Sequence, residues 1–465
     1  MSKPEASADN LPEWLDYIGS VHLKEIELGL DRVRAVAQRL GCMQPAATVV
    51  TVAGTNGKGS VVACVEALLT AAGYRTGSYT SPHLDRFNER IRFNQVPASD
   101  DQITAALAAV NNARGDISLS YFEFSTLAAL LLFKQKGIDF AILEVGLGGR
   151  LDAVNLVDPD LSVITCIDLD HQEWLGKDRE TIAMEKAGIL RPATPFICAD
   201  PQPPQGLLAQ ARKLDCPGYL FSRDYSIESS GDSWRWRGVD SEGQAGELTW
   251  QAQLSLLPIN VACALQVVSL LPVSIDDSLK TDTVASLSLA GRQEWCRDAS
   301  SGKRVLLDVG HNPAAMASLA NSLGKWRTNQ CSDARVIAVM AVMADKDIQD
   351  MARNLESSTD IWYIAELAVP RALGLDEFAE SLRKGGFKRP FHGFRCVEEA
   401  YKAACDQAGE QDLVVVSGSF HTIAKIRPLT TLLPGAQTEV AAQPGWARVE
   451  SGEQLNCNKA PNNAS

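Results

Sequence analysis

ATVVTVAGTNGKGSVVACVEALLTAAG, residues 47–73, contains the three parts of a strand–loop–helix unit. The β-branched run from Ala47 to Ala53 predicts a buried strand, and the apolar run that starts at Ser60 predicts a helix. Gly73 is typical of a residue that ends a helix. The loop between them, residues 54–60, therefore lies at a helix N-terminus, where backbone N–H groups can bind an anion.

This loop is a shortened variant of the usual phosphate loop. Only two residues separate Gly54 from Gly57, and Gly59 lies between Lys58 and Ser60, so G-x-x-x-x-G-K-[ST] is not matched. It still supplies N–H groups, a lysine for the outer phosphates and a hydroxyl near a metal ion. The alternative is a simple glycine turn before a helix. Strand, GKGS and helix together favour a nucleotide-dependent enzyme that holds ATP here.

The composition sets the broad class of protein. A chain of 465 residues is too long for one core, since single cores stop growing near about 250–300 residues. Hydrophobic residues make up 45% and charged residues 22%, which is typical of globular proteins. A net charge of −13 argues against general binding to nucleic acid or a membrane surface. Anionic ligands would need positive charge concentrated in one site, with help from metal ions.

Cysteine usage and apolar runs predict the location of the protein. The eleven cysteines are scattered and contain no C-x-x-C pair, as expected of reduced thiols in a cytosol. The N-terminus has no basic segment followed by an apolar one, and no apolar run approaches about 20 residues. We expect a cytoplasmic protein that is neither secreted nor membrane-spanning, with no nucleic-acid partner.

The rest of the chain predicts an α/β protein with parallel sheets. Apolar runs at 140–145 and 161–167 are typical of strands buried on both faces, and a helical stretch at 125–136 alternates with them. Short alternating segments between about 218 and 257 predict antiparallel hairpins appended to this first domain. A second series of strands is predicted at 304–309, 335–340, 361–365 and 412–416.

These patterns divide the chain into four segments. Residues 1–288 are predicted to form the first domain, 289–297 a linker and 298–433 a second, smaller domain. Residues 434–465 are rich in Gln, Asn, Ala, Gly and Pro and show no apolar period. They are predicted to be disordered.

Three further residues carry candidate chemistry. Glu144 ends a predicted strand at the sheet edge where ligands bind, so it could hold magnesium or form a structural ion pair. His171 follows the next strand and could be a metal ligand or structural. Four of the six histidines, 83, 171, 311 and 421, fall in loops at predicted strand ends, which packing alone does not explain. Lys186 lies on a predicted helix, where spacing alone favours a surface ion pair.

Ordered motifs identify a family. The chain closely resembles the folylpolyglutamate synthase family of the Mur ligase superfamily from about residue 11 to about residue 433. The motifs are GTNGKGS (54–60), TSPHL (80–84), NERIRFN (88–94), LEVGLGGRLDAVN (143–155), DHQEWLG (170–176), EKAGI (185–189), DVGHNP (308–313) and SGSFHT (417–422). The resemblance implies an N-terminal P-loop ATPase domain joined by a linker to a smaller, Rossmann-like domain that acts as the glutamate ligase domain.

The resemblance also implies the nucleotide and metal site. ATP would be held by Thr55, Asn56, Gly57, Lys58, Asn260, Arg292 and Asp308. Magnesium would be ligated by Ser81, Glu144 and His171. Lys58, His171 and Lys186 would be catalytic, and Lys186 matches the lysine that is carbamylated in the family. The implied cofactors are ATP and two Mg²⁺ ions, with a monovalent cation as a further candidate.

The implied substrates are dihydropteroate, reduced folates and L-glutamate. The pterin side would be formed by Glu27, Leu28, Gly29, Ser120, Tyr121, Phe122, Glu123, Leu151, Asp152 and Ala153, and the glutamate side by His311 and Ser419. The implied reaction is ATP-dependent addition of L-glutamate to dihydropteroate, giving dihydrofolate, and then to reduced folates. It proceeds through an acyl phosphate, and the family analogy implies a monomer.

Two rival functions compete with this one. A different Mur-type ligase would act on a UDP-linked cell-wall precursor, but TSPHL, NERIRFN and the lack of a recognisable UDP-binding N-terminal domain favour folate. A nucleotide-binding regulatory protein would have lost the chemistry, and the intact Lys58, Glu144, His171 and Lys186 count against it. The chain departs from the family pattern at Gln172 and Gly310, and neither departure removes a proposed ligand.

Overall fold

The structure is a computed structural model, and it describes residues 10–22, 27–231, 233–252, 254–328 and 333–433. The segment predicted to be disordered, 434–465, lies outside the described residues. Two large sheets, each built mainly from parallel strands, and one small antiparallel sheet form the described chain. This confirms the predicted α/β fold with a second C-terminal domain.

An eight-stranded sheet forms the centre of the first domain, in the order β4-β3-β2-β5-β1-β6-β7-β8. Its strands are β1 (Thr48–Ala53), β2 (Thr76–Tyr79), β3 (Ile91–Phe93), β4 (Val96–Pro97), β5 (Phe140–Glu144), β6 (Leu161–Ile164), β7 (Phe196–Cys198) and β8 (Gly218–Leu220). All neighbours are parallel except in the β2–β3–β4 edge, which is antiparallel.

Helices cover both faces of this sheet. They are α1 (Leu11–Val21), α2 (Asp31–Leu40), α3 (Lys58–Ala71), α4 (Asp100–Arg114), α5 (Tyr121–Lys136), α6 (Gln172–Leu175), α7 (Arg179–Ala187), α8 (Gln205–Lys213), α9 (Pro258–Leu270) and α10 (Asp277–Ser286). Short 3₁₀ segments span Phe87–Arg90 and Ala153–Leu156. The described helices include none long and apolar enough to cross a bilayer.

The apolar run of β1 explains why helices are needed on both sides. Val49 and Ala53 pack into one hydrophobic cluster with α5, and Val50 and Val52 pack into another with α3. Successive side chains of a strand point to opposite faces. A continuous apolar run therefore predicts a strand with both faces covered, as observed.

The predicted hairpins form a three-stranded antiparallel sheet. Its strands are β9 (Ser226–Ser230), β10 (Ser233–Val239) and β11 (Ala245–Gln251), in the order β11-β10-β9. The predicted hairpin region was drawn too long at its start, because residues 218–220 pair in parallel with β7 as the edge of the large sheet. That short segment carries no alternation to distinguish it from a hairpin strand.

The second domain contains a seven-stranded sheet in the order β16-β15-β14-β17-β13-β12-β18. The strands are β12 (Glu294–Asp298), β13 (Arg304–Leu307), β14 (Val336–Met340), β15 (Ile361–Ala365), β16 (Phe391–Phe394), β17 (Leu413–Ser417) and β18 (Thr430–Leu432), with helices α11 (Pro313–Thr328), α12 (Ile348–Glu356), α13 (Leu375–Lys384), α14 (Val397–Gln407) and α15 (Phe420–Ile426) and a 3₁₀ segment Arg427–Leu429. β12 pairs antiparallel with both β13 and β18, and the other pairs are parallel.

The segment between the two large sheets is short. Helix α10 ends at Ser286 and strand β12 begins at Glu294. The predicted boundaries at 288, 297 and 433 stay predictions. The carboxyl ends of the parallel strands carry the candidate site, since loops after β1, β2, β5 and β6 and after β13, β14 and β17 contain the residues described next.

Candidate active site

The loop after β1 is shaped by its glycines. Gly54 has φ +151°, and a Cβ there would lie 1.8 Å from Thr165 Oγ1. Gly57 is the N-cap of α3, with φ +89°, and its Cβ would lie 2.5 Å from Asn260 Oδ1. Side chains are strained at such angles and would collide here. The loop thus needs glycine at both positions to fit against α9 and the loop after β6.

Hydrogen bonds to the segment after β6 hold the same loop in place. The Thr55 backbone N–H donates to the Cys166 carbonyl at 2.7 Å, and the Asn56 N–H donates to Cys166 Sγ at 3.2 Å. Thr165 Oγ1 donates to the Asn56 carbonyl at 2.7 Å. Lys58 Nζ donates to the loop carbonyls of Gly54 and Thr55, at 3.0 and 3.1 Å. Thr55, Asn56, Gly57 and Lys58 therefore form one compact unit at the start of α3.

Glu144 lies directly beside this loop. It is buried at the end of β5, and a Cβ at Gly59 would lie 3.5 Å from its Oε2. Its Oε2 accepts the Ser81 backbone N–H at 3.1 Å. Burial raises the pKa of Glu144, and the positive charge of Lys58 opposes that rise. Glu144 forms no ion pair with any described residue. The interpretation of Glu144 as a structural ion pair, left open by the sequence, is therefore excluded within the described residues.

His171 lies on the next loop and has a left-handed backbone, with φ +49°. Burial lowers its pKa to about 4, so the imidazole is neutral near pH 7 and can donate a lone pair to a metal ion. Such backbone angles in non-glycine residues occur often at functional sites. The structure gives no direct contact between His171 and Glu144.

Lys186 is buried on α7, at 2% exposure, so the surface ion pair favoured by spacing is wrong. Its Nζ makes no hydrogen bond or ion pair with the described residues. Burial, with the positive charge of Lys58, lowers the pKa of Lys186 to about 7. Helical spacing could not reveal this burial, because α7 packs against the glycine loop after β5, residues 146–149, where a Cβ at Gly149 would lie 3.1 Å from Lys186 Cα.

Arg292 and Asp308 lie where the second domain faces the phosphate loop. Arg292 lies over the ring of Phe420, with Cζ 5.3 Å from the ring centroid. Asp308 accepts the backbone N–H groups of Gly310 and Gln293, at 2.8 and 3.1 Å. Burial raises the pKa of Asp308, and Arg292 opposes that rise. Among the residues expected to contact nucleotide, Asn260 packs directly on the loop. Arg292 lies in the segment between the two large sheets, and Asp308 follows β13 in the second domain.

A polar network joins the two domains beside the phosphate loop. Asn56 and Asn312 exchange two side-chain hydrogen bonds, both 2.9 Å long. Asp170 accepts from Asn312 at 3.0 Å and from Lys346 at 2.9 Å, and lies 3.6 Å from His311 Nε2. Burial alone would raise the pKa of Asp170. The contacts with His311 and Lys346 outweigh burial and hold this pKa well below its usual range.

The three segments predicted for the pterin side come together. The Gly29 N–H donates to the Leu151 carbonyl at 3.3 Å. Arg32 links Glu27 to Glu123, donating to both carboxylates. Leu28, between Glu27 and Gly29, is half-buried. Sequence reasoning did not identify Arg32.

The other pterin-side residues form a wall around Asp152. Asp152 accepts the N–H groups of Leu147 and Val154, at 2.8 and 2.9 Å, and Ala153 begins the following 3₁₀ segment. Burial raises the pKa of Asp152 to about 6. Phe122 packs against Gly146, whose Cβ would lie 2.6 Å from the ring.

Some predicted residues serve local structure. Ser120 caps α5, accepting the Glu123 N–H at 3.3 Å while Glu123 accepts the Ser120 N–H at 2.7 Å. Ser419 caps α15, accepting the Thr422 N–H at 3.0 Å. Tyr121 packs its ring edge-on to Phe87, with centroids 6.0 Å apart.

The donors near Glu144 fit a divalent cation. A hydroxyl, a carboxylate and a neutral imidazole are ligands that Mg²⁺ and Mn²⁺ accept, and Glu144 is a buried carboxylate without a cationic side chain bonded to it. Within the described residues, no group of three or more His, Cys, Asp and Glu side chains is arranged so that it could hold a metal ion.

Sequence reasoning missed three residues of this site besides Arg32. Lys346 and Asn312 come from the second domain, and Cys166 lies under the phosphate loop. Asn312 belongs to the DVGHNP motif and Cys166 lies in the strand predicted at 161–167, so their positions could be located from sequence although their partners could not.

Two family models match the chain. The Mur ligase middle domain matches residues 52–241, and the glutamate ligase domain of Mur ligases matches residues 291–420. Together they cover the phosphate loop, Glu144, His171 and Lys186 in the first match and Arg292 to Ser419 in the second.

Curated relatives align along nearly their whole length. The dihydrofolate synthase/folylpolyglutamate synthase of Escherichia coli (strain K12) is 42% identical over 429 residues, covering 91% of this chain and 96% of the relative. The Haemophilus influenzae protein of the same name is 37% identical over 434 residues, covering 89% and 96%.

Solved structures of similar proteins share the fold. E. coli FolC in complex with DHPP and ADP has a TM-score of 0.84 and 39% identity, covering 92% of this chain and 99% of that chain. The Yersinia pestis bifunctional folylpolyglutamate synthase/dihydrofolate synthase, complexed with AMPPNP and Mn ion, has a TM-score of 0.82 with the same identity and coverage. A structure of such an enzyme with Mn, AMPPNP and L-glutamate bound has a TM-score of 0.81.

Proposed function

Because the chain belongs to the dihydrofolate synthase/folylpolyglutamate synthase family of Mur ligases, we propose that it adds L-glutamate to dihydropteroate and then to reduced folates. It is an ATP-dependent ligase. The observation that carries the proposal is the meeting of the phosphate loop with Glu144 and with second-domain residues, through the Asn56–Asn312 pair. The ligands bound in structures of similar proteins, DHPP and L-glutamate, support this choice of substrates.

A carboxylate is a poor electrophile, so it must be activated before an amine can attack it. In the proposed reaction the pterin substrate's carboxylate attacks the γ-phosphate of ATP, giving an acyl phosphate and ADP. The amine of glutamate then attacks the acyl carbon and phosphate leaves. Lys58 offsets the negative charge that accumulates when one anion attacks another.

Ser81, Glu144 and His171 are proposed to hold magnesium near this loop. When bound, the two expected ions would neutralise charge on the phosphates and on the attacking carboxylate. A monovalent cation belongs to the same family expectation. Asn260, Arg292 and Asp308 are proposed to contact the nucleotide, so that both domains contribute to one site.

Carbamylation of Lys186 is also proposed. A neutral amine is the form that reacts with CO₂, and a pKa lowered to about 7 leaves a large neutral fraction at neutral pH. The product would be an anionic group in a buried position beside Cys166 and Lys58. Forming the N–C bond would release one proton and turn the uncompensated buried amine into a carbamate, an anionic group that would help to organise a metal ion.

On the substrate side, Asp152 and Glu123 are proposed to bind the pterin ring, with Phe122 packing on it. Glu27, Leu28, Gly29, Ser120, Tyr121, Leu151 and Ala153 would complete that wall. His311 and Ser419 are proposed to lie near the incoming glutamate. The cytoplasmic location and monomeric state expected from sequence stay predictions.

The function is tested by supplying purified protein with ATP, Mg²⁺, L-glutamate and each acceptor in turn. Dihydropteroate and tetrahydrofolate should each support ADP release that depends on glutamate. A UDP-linked cell-wall precursor should not. ADP release that occurs with the cell-wall precursor and with neither pterin acceptor would contradict the proposal. If no acceptor supports glutamate-dependent ADP release, the regulatory alternative is favoured.

A further inference from the structure

Arg90 has an unusual environment in the first domain. It ends the 3₁₀ segment before β3, and its Nε donates to His83 Nδ1 at 2.9 Å. Its guanidinium lies over two aromatic rings, with Cζ 5.5 Å from the centroid of Phe87 and 5.4 Å from that of Tyr121. These contacts fix the plane of the guanidinium and leave the Nη end of the fork unused by them.

Arg90 has no carboxylate partner in the described chain, although it is half-buried. Its two neighbouring arginines do: Arg86 pairs with Asp100 at 3.0 Å, and Arg92 pairs with the buried Glu66. Neither Nη atom of Arg90 donates a hydrogen bond to a described residue. A guanidinium that is partly removed from water and left unpaired is costly, and the cost is offset when an anion binds.

The location of Arg90 connects three parts of the site. Tyr121, which it contacts, belongs to the proposed pterin side. Its charge reaches Glu144, where it opposes the effect of burial on that carboxylate. Leu84, which follows its hydrogen-bond partner His83 in the chain, packs against the core of the second domain. Arg90 is therefore near the place where pterin acceptor, phosphate and glutamate must meet.

We propose that Arg90 is a substrate-binding residue whose two Nη groups hold a carboxylate of a substrate. A planar guanidinium matches a carboxylate with two parallel hydrogen bonds. The inference rests on the proposed function, because every substrate of that reaction other than ATP carries a carboxylate. The carboxylate comes either from the acceptor or from the incoming glutamate.

The test measures KM for dihydropteroate, tetrahydrofolate, L-glutamate and ATP in the wild type, Arg90→Gln and Arg90→Lys. Losing a charged, two-point hydrogen bond should raise one carboxylate substrate's KM by about ten- to a hundred-fold. Arg90→Lys keeps the charge but loses the fork, so the same KM should rise by a smaller factor. ATP should keep its KM. Arg86→Gln removes an equal charge from the exposed surface nearby and serves as the matched control.

The pattern of KM values identifies the source of the carboxylate. An increase for the acceptors alone assigns Arg90 to the acceptor, and an increase for L-glutamate with both acceptors assigns it to the incoming amino acid. The inference would be overturned if folded Arg90→Gln kept the KM values for dihydropteroate, tetrahydrofolate and L-glutamate all within about twofold of wild type. Should that variant not fold, the same outcome in Arg90→Lys decides. An inactive wild type would instead refute the proposed function.

Discussion

Asn56 in the phosphate loop and Asn312 in the second domain donate a side-chain hydrogen bond to each other, at 2.9 Å in both directions. The two residues are 256 positions apart in the chain. Asn56 shares its loop with Lys58, and Asn312 begins the turn into α11. The pair therefore connects the expected ATP site directly to the second domain.

Changing Asn312 to aspartate should weaken this connection. The carboxylate keeps the acceptor for the Ala315 N–H but loses the donor to Asn56 and to Asp170, and it places a second negative charge beside Asp170. We expect kcat/KM for ATP to fall about ten-fold or more, because the hydrogen bond to the Asn56 amide and the one to the Asp170 carboxylate are both lost. Steady-state ADP release measures this.

Asn321→Asp is the control for that variant. Asn321 is exposed on α11, so the same chemical change there should leave kcat/KM within about twofold of wild type. Equal effects of the two substitutions would show that the Asn56–Asn312 pair has no role in catalysis.

The ion pair of Lys346 with Asp170 should stabilise the contact between domains. Both side chains are buried, at 7% and 9% exposure, with Nζ 2.9 Å from Oδ1. Lys346→Met leaves a buried carboxylate without its cation, which should cost about 3 kcal/mol. Adding Asp170→Asn should recover part of this loss. Denaturation of the wild type, Lys346→Met, Asp170→Asn and the double variant gives four free energies of unfolding, and a double-mutant cycle yields the coupling energy from them. Additive losses of unfolding free energy would contradict a direct interaction.

Gly54 should tolerate no side chain. In Gly54→Ala the new methyl group would collide with Thr165 at 1.8 Å, at a backbone φ of +151°. We expect lower thermal stability and loss of ATP binding by calorimetry, because the loop must move. Gly324→Ala has open space and an ordinary φ, and should stabilise α11 by about 0.5–1 kcal/mol. A Gly54→Ala protein that binds ATP normally would contradict the account of the loop.

Activity should depend on CO₂ through Lys186. With a pKa of about 7, the amine is increasingly protonated below pH 7 and then cannot react with CO₂. Depleting CO₂ near pH 6.5 should lower turnover, and bicarbonate should restore it. Lys186→Met should lose about a hundred-fold in kcat and show no response to bicarbonate. Turnover of the wild type that is unchanged in CO₂-free buffer would exclude a required carbamate.

The sequence predicted the parts of the fold that depend on local pattern. The run at 47–53 is apolar on both faces and the glycines at 54 and 57 precede a helix, so β1, the loop and α3 were all expected. Residues 218–220 were assigned to a hairpin instead of the sheet edge. Three residues contain too little periodicity to distinguish a parallel edge strand from an antiparallel one.

In the candidate site, too, local pattern predicts some features, and others depend on packing between distant parts of the chain. Lys58, Glu144 and His171 lie at strand ends, which the pattern of buried runs locates. The partners of Asp170 could not be predicted, because Lys346 lies 176 positions away and only the packing of two domains brings the residues together. The burial of Lys186 was likewise invisible, since the glycine loop that covers it comes from another part of the chain.

The central claim is that ATP is consumed to join glutamate to a pterin carboxylate at the loop that carries Lys58. Mass spectrometry of the products from dihydropteroate, L-glutamate and ATP tests it most directly, in the wild type and in folded Lys58→Ala. We predict an acceptor heavier by one glutamyl residue, one ADP for each bond formed, and no product from the variant. ADP without glutamylated product in the wild type, or normal product from Lys58→Ala, would contradict the claim.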